Sequence, residues 1–151
     1  MAVYFVQHGL ALSKEEDPNR PLSPEGKRDV ERITSYLGKC HLTIREVCHS
    51  GKTRALQTAQ IFVDQFKGSQ ICQLSGMSPN NNVKEFASML NIENTMYVGH
   101  LPHLEKLISY LITGDESKQV IKFVNGGVVC VEKNDSGFYI NWYLKPSLCD
   151  A

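Results

Sequence analysis

Three times in this chain a short apolar run stops at small or polar residues, and a helical stripe follows a few residues later. Val3 to Val6 runs into Gln7-His8-Gly9, Val47-Cys48 into His49-Ser50, and Thr95 to Gly99 into His100. Strands that alternate with helices in this way build a mostly parallel sheet, because the intervening helix carries the chain back across one face. In such sheets ligands bind just beyond the carboxyl ends of the strands. The residues at these stops are therefore the first candidates for a site.

The stripes support the same reading. Ser23-Pro24-Glu25 is a helix start, with serine as N-cap and proline in the first turn, and Val30, Ile33 and Leu37 follow on one face up to Gly38. Ala55, Ala59, Phe62 and Phe66 line a second helix over 52–66. Val83, Phe86, Ala87 and Leu90 line a third, and Leu104, Leu107, Ile108, Leu111 and Ile112 a fourth that closes at Gly114. Ile71 to Leu74 is a candidate third strand, interrupted by Gln70 and Gln73. The last third changes character: Val128 to Val131 and Phe138 to Leu144 read as strands joined by an Asn134-Asp135-Ser136-Gly137 turn. The expectation is an α/β three-layer sandwich with a mostly parallel central sheet, an antiparallel edge hairpin and helices on both faces. One domain spanning 1–151 suits this length.

Sixteen basic and sixteen acidic side chains cancel, so no global field steers the chain to nucleic acid or an anionic membrane. No apolar run approaches the roughly 20 residues of a membrane span, and the N-terminus lacks the basic flank and cleavage site of a signal peptide. The five cysteines, Cys40, Cys48, Cys72, Cys130 and Cys149, are odd in number and show no C-x-x-C spacing. They read as buried, reduced thiols of a cytoplasmic protein, expected to be a monomer.

If the sheet is parallel, His8, His100 and Arg54 converge on one edge. Arg54 then sits in the first turns of its helix, where an anion is already favoured. Two imidazoles and a guanidinium suit phosphoryl transfer. A neutral imidazole nitrogen is a nucleophile near neutrality, an arginine fork matches two phosphate oxygens, and a second imidazole, if protonated, stabilises the moving charge. The alternative of a metal hydrolase built on His8, His41, His49, His100 and His103 finds no H-E-x-x-H pairing and only weak spacing in His100-Leu101-Pro102-His103. No cofactor and no metal are expected.

The stretches YFVQHGLA, RPLSPEG, CHSGKTRALQTAQIF, YVGHLPHL and NGGVVCVE together resemble the histidine phosphatase superfamily, phosphoglycerate mutase-like in fold, and within it the short SixA-type phosphohistidine phosphatases. The resemblance covers nearly the whole chain in order. It implies that His8 takes the phosphoryl group and is freed by water, that Arg54 binds phosphate, and that His100 is held against the transferring group. It implies a phosphate-binding role for Gln7 in weakened form, since the family usually has arginine there. Gly9 lets the chain turn away beside a phosphate. Arg20 matches an extra phosphate contact, although Pro21-Leu22 equally reads as a structural loop.

Two deficits bear on the substrate. Glutamine in place of arginine removes a permanent charge and a bidentate fork. It retains a charge-assisted hydrogen bond to an anion, of a kind worth about 1.5–3 kcal/mol. No carboxylate sits in a recognisable general-acid motif; Glu15, Glu16, Asp17 and Glu85 are the nearby candidates. A phosphohistidine demands little of an acid, because its P–N bond is labile and transfer to His8 exchanges one phosphoramidate for another. The short form suits a protein-borne substrate, such as a histidine-containing phosphotransfer domain or a phosphocarrier. A phosphatase for small phosphorylated molecules and a catalytically weak phosphate-recognition module are the alternatives.

Overall fold

The computed structural model describes residues 2–149; Met1, Asp150 and Ala151, at the ends of the expected domain, lie outside the described residues. The elements follow in the order β1 (Ala2–Gln7), α1 (Pro24–Gly38), β2 (Glu46–His49), α2 (Thr53–Gln65), β3 (Gln70–Gln73), α3 (Val83–Ala87), β4 (Thr95–Gly99), α4 (His103–Thr113), β5 (Val128–Asn134) and β6 (Gly137–Leu144). They build one six-stranded sheet in the order β3-β2-β4-β1-β5-β6. The first four strands in that order are parallel, and β5 and β6 add an antiparallel edge. This is the expected α/β architecture. Among the described residues no helix is long and apolar enough to cross a membrane.

Alternation along β1 explains the layers. Tyr4 and Val6 pack with Val30, Ile33, Ala55, Ala59 and Phe62 from α1 and α2. Val3 and Phe5 face the other way, onto Phe86, Leu104, Leu107 and Ile108 from α3 and α4. Successive side chains of a strand point to opposite faces, so a strand apolar at every position is one covered on both sides.

The register then sets the site. Gln7 pairs with Gly99, and His49 pairs with Val98. β2, β4 and β1 are neighbours and end at the same level, which brings the three sequence stops together.

The loop that follows β1 is fastened to the start of α1. Ser23 caps the helix by accepting from the Gly26 N–H at 2.9 Å, and its own N–H donates to the Leu10 carbonyl at 2.9 Å. Gly26 is required by close approach: a Cβ there would lie 2.0 Å from the Leu10 carbonyl oxygen, which is backbone and cannot swing aside. Gly9 is tight against a side chain, a Cβ there meeting Val30 Cγ2 at 2.7 Å. Gly26→Ala is expected to cost about 3 kcal/mol, the upper range for overpacking; the denaturant midpoint checks it.

Two elements differ from the sequence pattern. The third helix, expected to carry Leu90, stops at Ala87. Beyond it the Met89 and Leu90 N–H groups bond three residues back, to Phe86 and Ala87, while Ser88 Oγ donates to the Glu85 carbonyl at 2.6 Å. The cysteines are not all buried: Cys48, Cys130 and Cys149 are, Cys72 is half-buried on the edge strand, and Cys40 is exposed just past the end of α1. The edge strand has no further strand to cover Cys72, and α1 has ended before Cys40 reaches the core.

Candidate active site

His8 follows directly on β1 and is buried, only 8% exposed. Its Nδ1 lies 2.7 Å from the Gly9 carbonyl oxygen. A carbonyl can only accept, so Nδ1 carries the hydrogen, and in the neutral ring Nε2 carries the lone pair. Arg54 Nε donates to that Nε2 at 3.3 Å. The ring is thus held in one tautomer, with its basic nitrogen turned to the guanidinium.

α2 holds this arrangement through the two residues that follow the arginine turn. Thr58 Oγ1 accepts from the Gly9 N–H at 3.0 Å and donates to the Arg54 carbonyl at 2.8 Å. Gln57 Oε1 accepts from the Leu22 N–H at 2.7 Å, which pins the Arg20-Pro21-Leu22 loop to the same helix. The R-A-x-Q-T pattern is therefore one binding side chain and two fasteners. Neither α2 nor α4 has a side-chain cap at its N-terminus. Their first N–H groups, left without capping side chains, favour negative charge.

His100 follows β4 and is fully buried. Its ring centroid is 5.0 Å from that of His8, and its Nε2 meets Ser50 Oγ, at the end of β2, at 2.6 Å. His100 Nδ1 and Gln7 Oε1 are buried with no hydrogen-bond partner. Turning over the Gln7 carboxamide would present a donor at the position now held by the oxygen.

The charges around these groups are positive. Burial first, then Arg54 and Arg20, outweigh the Gly9 hydrogen bond and bring the His8 pKa down to about 4. Burial, with His8, Arg54, Lys52 and His103, brings His100 down to about 3. Both shifts favour the neutral ring at pH 7, and the protonated His100 considered from the sequence needs an anion beside it. An anion beside it reverses the electrostatic part of that shift.

Both values lie below those of the unfolded chain, so this contribution to stability is complete above the ordinary imidazole pKa of about 6.5. It is lost as pH falls from there towards about 4 for His8 and about 3 for His100. The imidazole proton resonances of both rings are expected to stay fixed between about pH 5 and 8. A His8 midpoint near 6.5 in the folded protein would contradict the desolvated site.

Arg20 is half-buried with φ 46, and its Nε donates to the Leu12 carbonyl at 3.0 Å. It acts on His8 and Arg54 as a neighbouring positive charge. The other histidines stand apart in role: His41 is exposed, His49 accepts from the Gly51 N–H at 3.0 Å, and His103 is a core residue against the Phe86 ring.

The carboxylates considered as acids are exposed or hydrogen-bonded within their own loop. Glu15 and Glu85 are exposed. Glu16 accepts from the Ser13 N–H at 3.0 Å, and Asp17 Oδ1 from Asn19 N–H at 2.9 Å.

Ser50 and Thr58 lay within the quoted motifs without an assigned role. Asn125 was likewise visible only as part of N-G-G. Its Nδ2 donates to the His8 carbonyl at 3.2 Å, while the Gly126 N–H reaches the Gln7 carbonyl at 2.9 Å.

Solved structures share this architecture over nearly the whole chain. The protein histidine phosphatase SixA, solved with tungstate, superposes with a TM-score of 0.84 at 23% identity, covering 98% of this chain and 99% of that one. The alpha-ribazole phosphatase of Shigella flexneri gives 0.78 at 13%, over 93% and 95% of the two chains. The phosphoserine phosphatase of Entamoeba histolytica, solved with 3-phosphoglyceric acid, gives 0.72 at 12%, over 94% and 95%. No family model matches the sequence, and no curated protein does. The chain has the histidine phosphatase fold.

Proposed function

We propose that this chain is a phosphatase that hydrolyses phosphohistidine in proteins through a covalent phosphohistidine on His8. The observation that carries the proposal is the tautomer lock: Nδ1 is tied to the Gly9 carbonyl, leaving Nε2 unprotonated beside Arg54. In the first step the substrate P–N bond breaks as the bond from phosphorus to Nε2 forms. The departing imidazole nitrogen takes its proton from water. In the second step water attacks phosphorus, the bond to Nε2 breaks, and inorganic phosphate leaves.

Arg54 loses its hydrogen bond to Nε2 and gains phosphoryl oxygens, an exchange that strengthens as negative charge collects on them. The N-termini of α2 and α4 favour the same charge. A phosphohistidine substrate fits the absence of any carboxylate among the charges that act on His8 and His100. It also fits glutamine at the position where the resemblance leads one to expect arginine. The donor in this reading is a phosphotransfer domain or phosphocarrier met in the cytoplasm by a monomer.

A substrate panel tests the choice: phosphohistidine peptide, phosphoserine peptide, sugar phosphates and an aryl phosphate, compared by kcat/KM. The phosphohistidine peptide is expected to lead. A sugar phosphate in first place would move the reading to small molecules. The neutral Gln7 favours a second reading, a phosphate-recognition module. If no substrate turns over, before or after Gln7→Arg, that reading replaces the first.

A further inference from the structure

Away from the histidines, β2 and β3 bring a second set of donors together. The two strands are parallel and in register, with Cys48 opposite Cys72. Glu46 is two residues before Cys48 on the same strand and so shares its face. One carboxylate oxygen of Glu46 and the sulfurs of Cys48 and Cys72 all lie within 4.8 Å of one another. Among the described residues no other three His, Cys, Asp or Glu side chains meet this closely.

The Cys48 thiol donates to Glu46 Oε1 at 3.3 Å, and Glu46 makes no ion pair among the described residues. Cys48 is buried, but Glu46 and Cys72 are only partly so and reach the surface.

We propose that Glu46, Cys48 and Cys72 form a binding site for a zinc-like divalent metal ion, with water as the fourth ligand. Two thiolates select zinc or cadmium over magnesium and calcium, which take oxygen ligands. Zinc–sulfur bonds of about 2.3 Å in a tetrahedron place two sulfurs about 3.8 Å apart, and all three donor atoms lie within 4.8 Å of one another. Binding exchanges the two S–H protons, released to solvent, for two metal–sulfur bonds; nothing is oxidised or reduced. The ion would cross-link the exposed edge strand β3 to β2, which ends at His49 and leads into Ser50.

The test titrates Co²⁺, then Zn²⁺, into the reduced protein carrying Cys40→Ser, which removes the exposed thiol. A thiolate-to-cobalt charge-transfer band saturating at one equivalent is expected, bleached by Zn²⁺, and Zn²⁺ in excess should raise Tm by about 4 °C. Cys72→Ser, at the half-buried position, should abolish both signals, and Glu46→Gln should weaken binding at least about tenfold. The absence of a charge-transfer band with excess cobalt overturns the site without recourse to any further variant. So does a band that persists unchanged in Cys72→Ser.

Discussion

His8→Ala is expected to reduce kcat/KM for a phosphohistidine peptide by at least about 10⁴-fold, the scale on which removal of a covalent nucleophile acts. The loss should appear in kcat, because the substitution deletes the atom that forms the bond to phosphorus. Phosphate affinity should change little. Arg54 is anchored independently, its carbonyl bonded to Thr58 and its backbone set in α2. The fold should also persist: the Gly9 N–H keeps its bond to Thr58, and the contacts of the His8 carbonyl with Asn125 and Gly126 are backbone or backbone-directed. Steady-state kinetics on a variant that melts like the parent checks this. Turnover within tenfold of the parent would show that the phosphoryl group goes elsewhere.

The second large effect is on binding. Arg54→Ala removes the side chain that donates to His8 Nε2. A hydrogen bond to a charged group is worth about 1.5–3 kcal/mol, so vanadate affinity should fall about 10- to 100-fold. The loss in kcat/KM should be larger, because the transferring group is more strongly charged than the ground state. Arg54→Lys restores charge without the fork and should recover part of the affinity. The pH profile supplies a readout with a defined sign. Arg54 is one of the charges that hold the His8 pKa down, so its removal should move the acid limb to higher pH. A limb that stays in place, with unchanged vanadate binding, would separate Arg54 from the site.

Much of this was visible in the chain because local and global signals agree. Ser23-Pro24 starts α1 as a capped helix should, and Thr95–Gly99 is β4 to the residue. Apolar residues from Ala2 to Val6 of β1 announce a strand covered on both faces, and the polar stop that begins at Gln7 places His8 at the sheet edge. The convergence of His8, Ser50 and His100 needed only the parallel order of three neighbouring strands.

What the sequence hides is set by long-range register. Nothing local in Gln57 or Thr58 marks one as the anchor of Leu22 and the other as the anchor of Gly9. Asn125 holds a carbonyl more than a hundred residues before it. Cys48 and Cys72 meet because β2 and β3 pair in one register, and a slip of one residue would part them. The shortened α3 is a matter of local bonding: Leu90 still packs against the core, but Met89 lies in solvent and Ser88 Oγ donates to the Glu85 carbonyl as the chain turns to bonds three residues back. The tautomer of His8 likewise depends on the rotation of one ring against its neighbouring carbonyl, which no spacing in the sequence encodes.

The central claim is that Nε2 of His8 carries the phosphoryl group during turnover. Mixing the enzyme with a phosphohistidine substrate, quenching in alkali within the first turnover and mapping the adduct by mass spectrometry tests it directly. The account predicts one phosphoryl group on His8, stable to base and lost in acid, and none in His8→Ala. Full turnover with no adduct on His8, or an adduct on another residue, would contradict it.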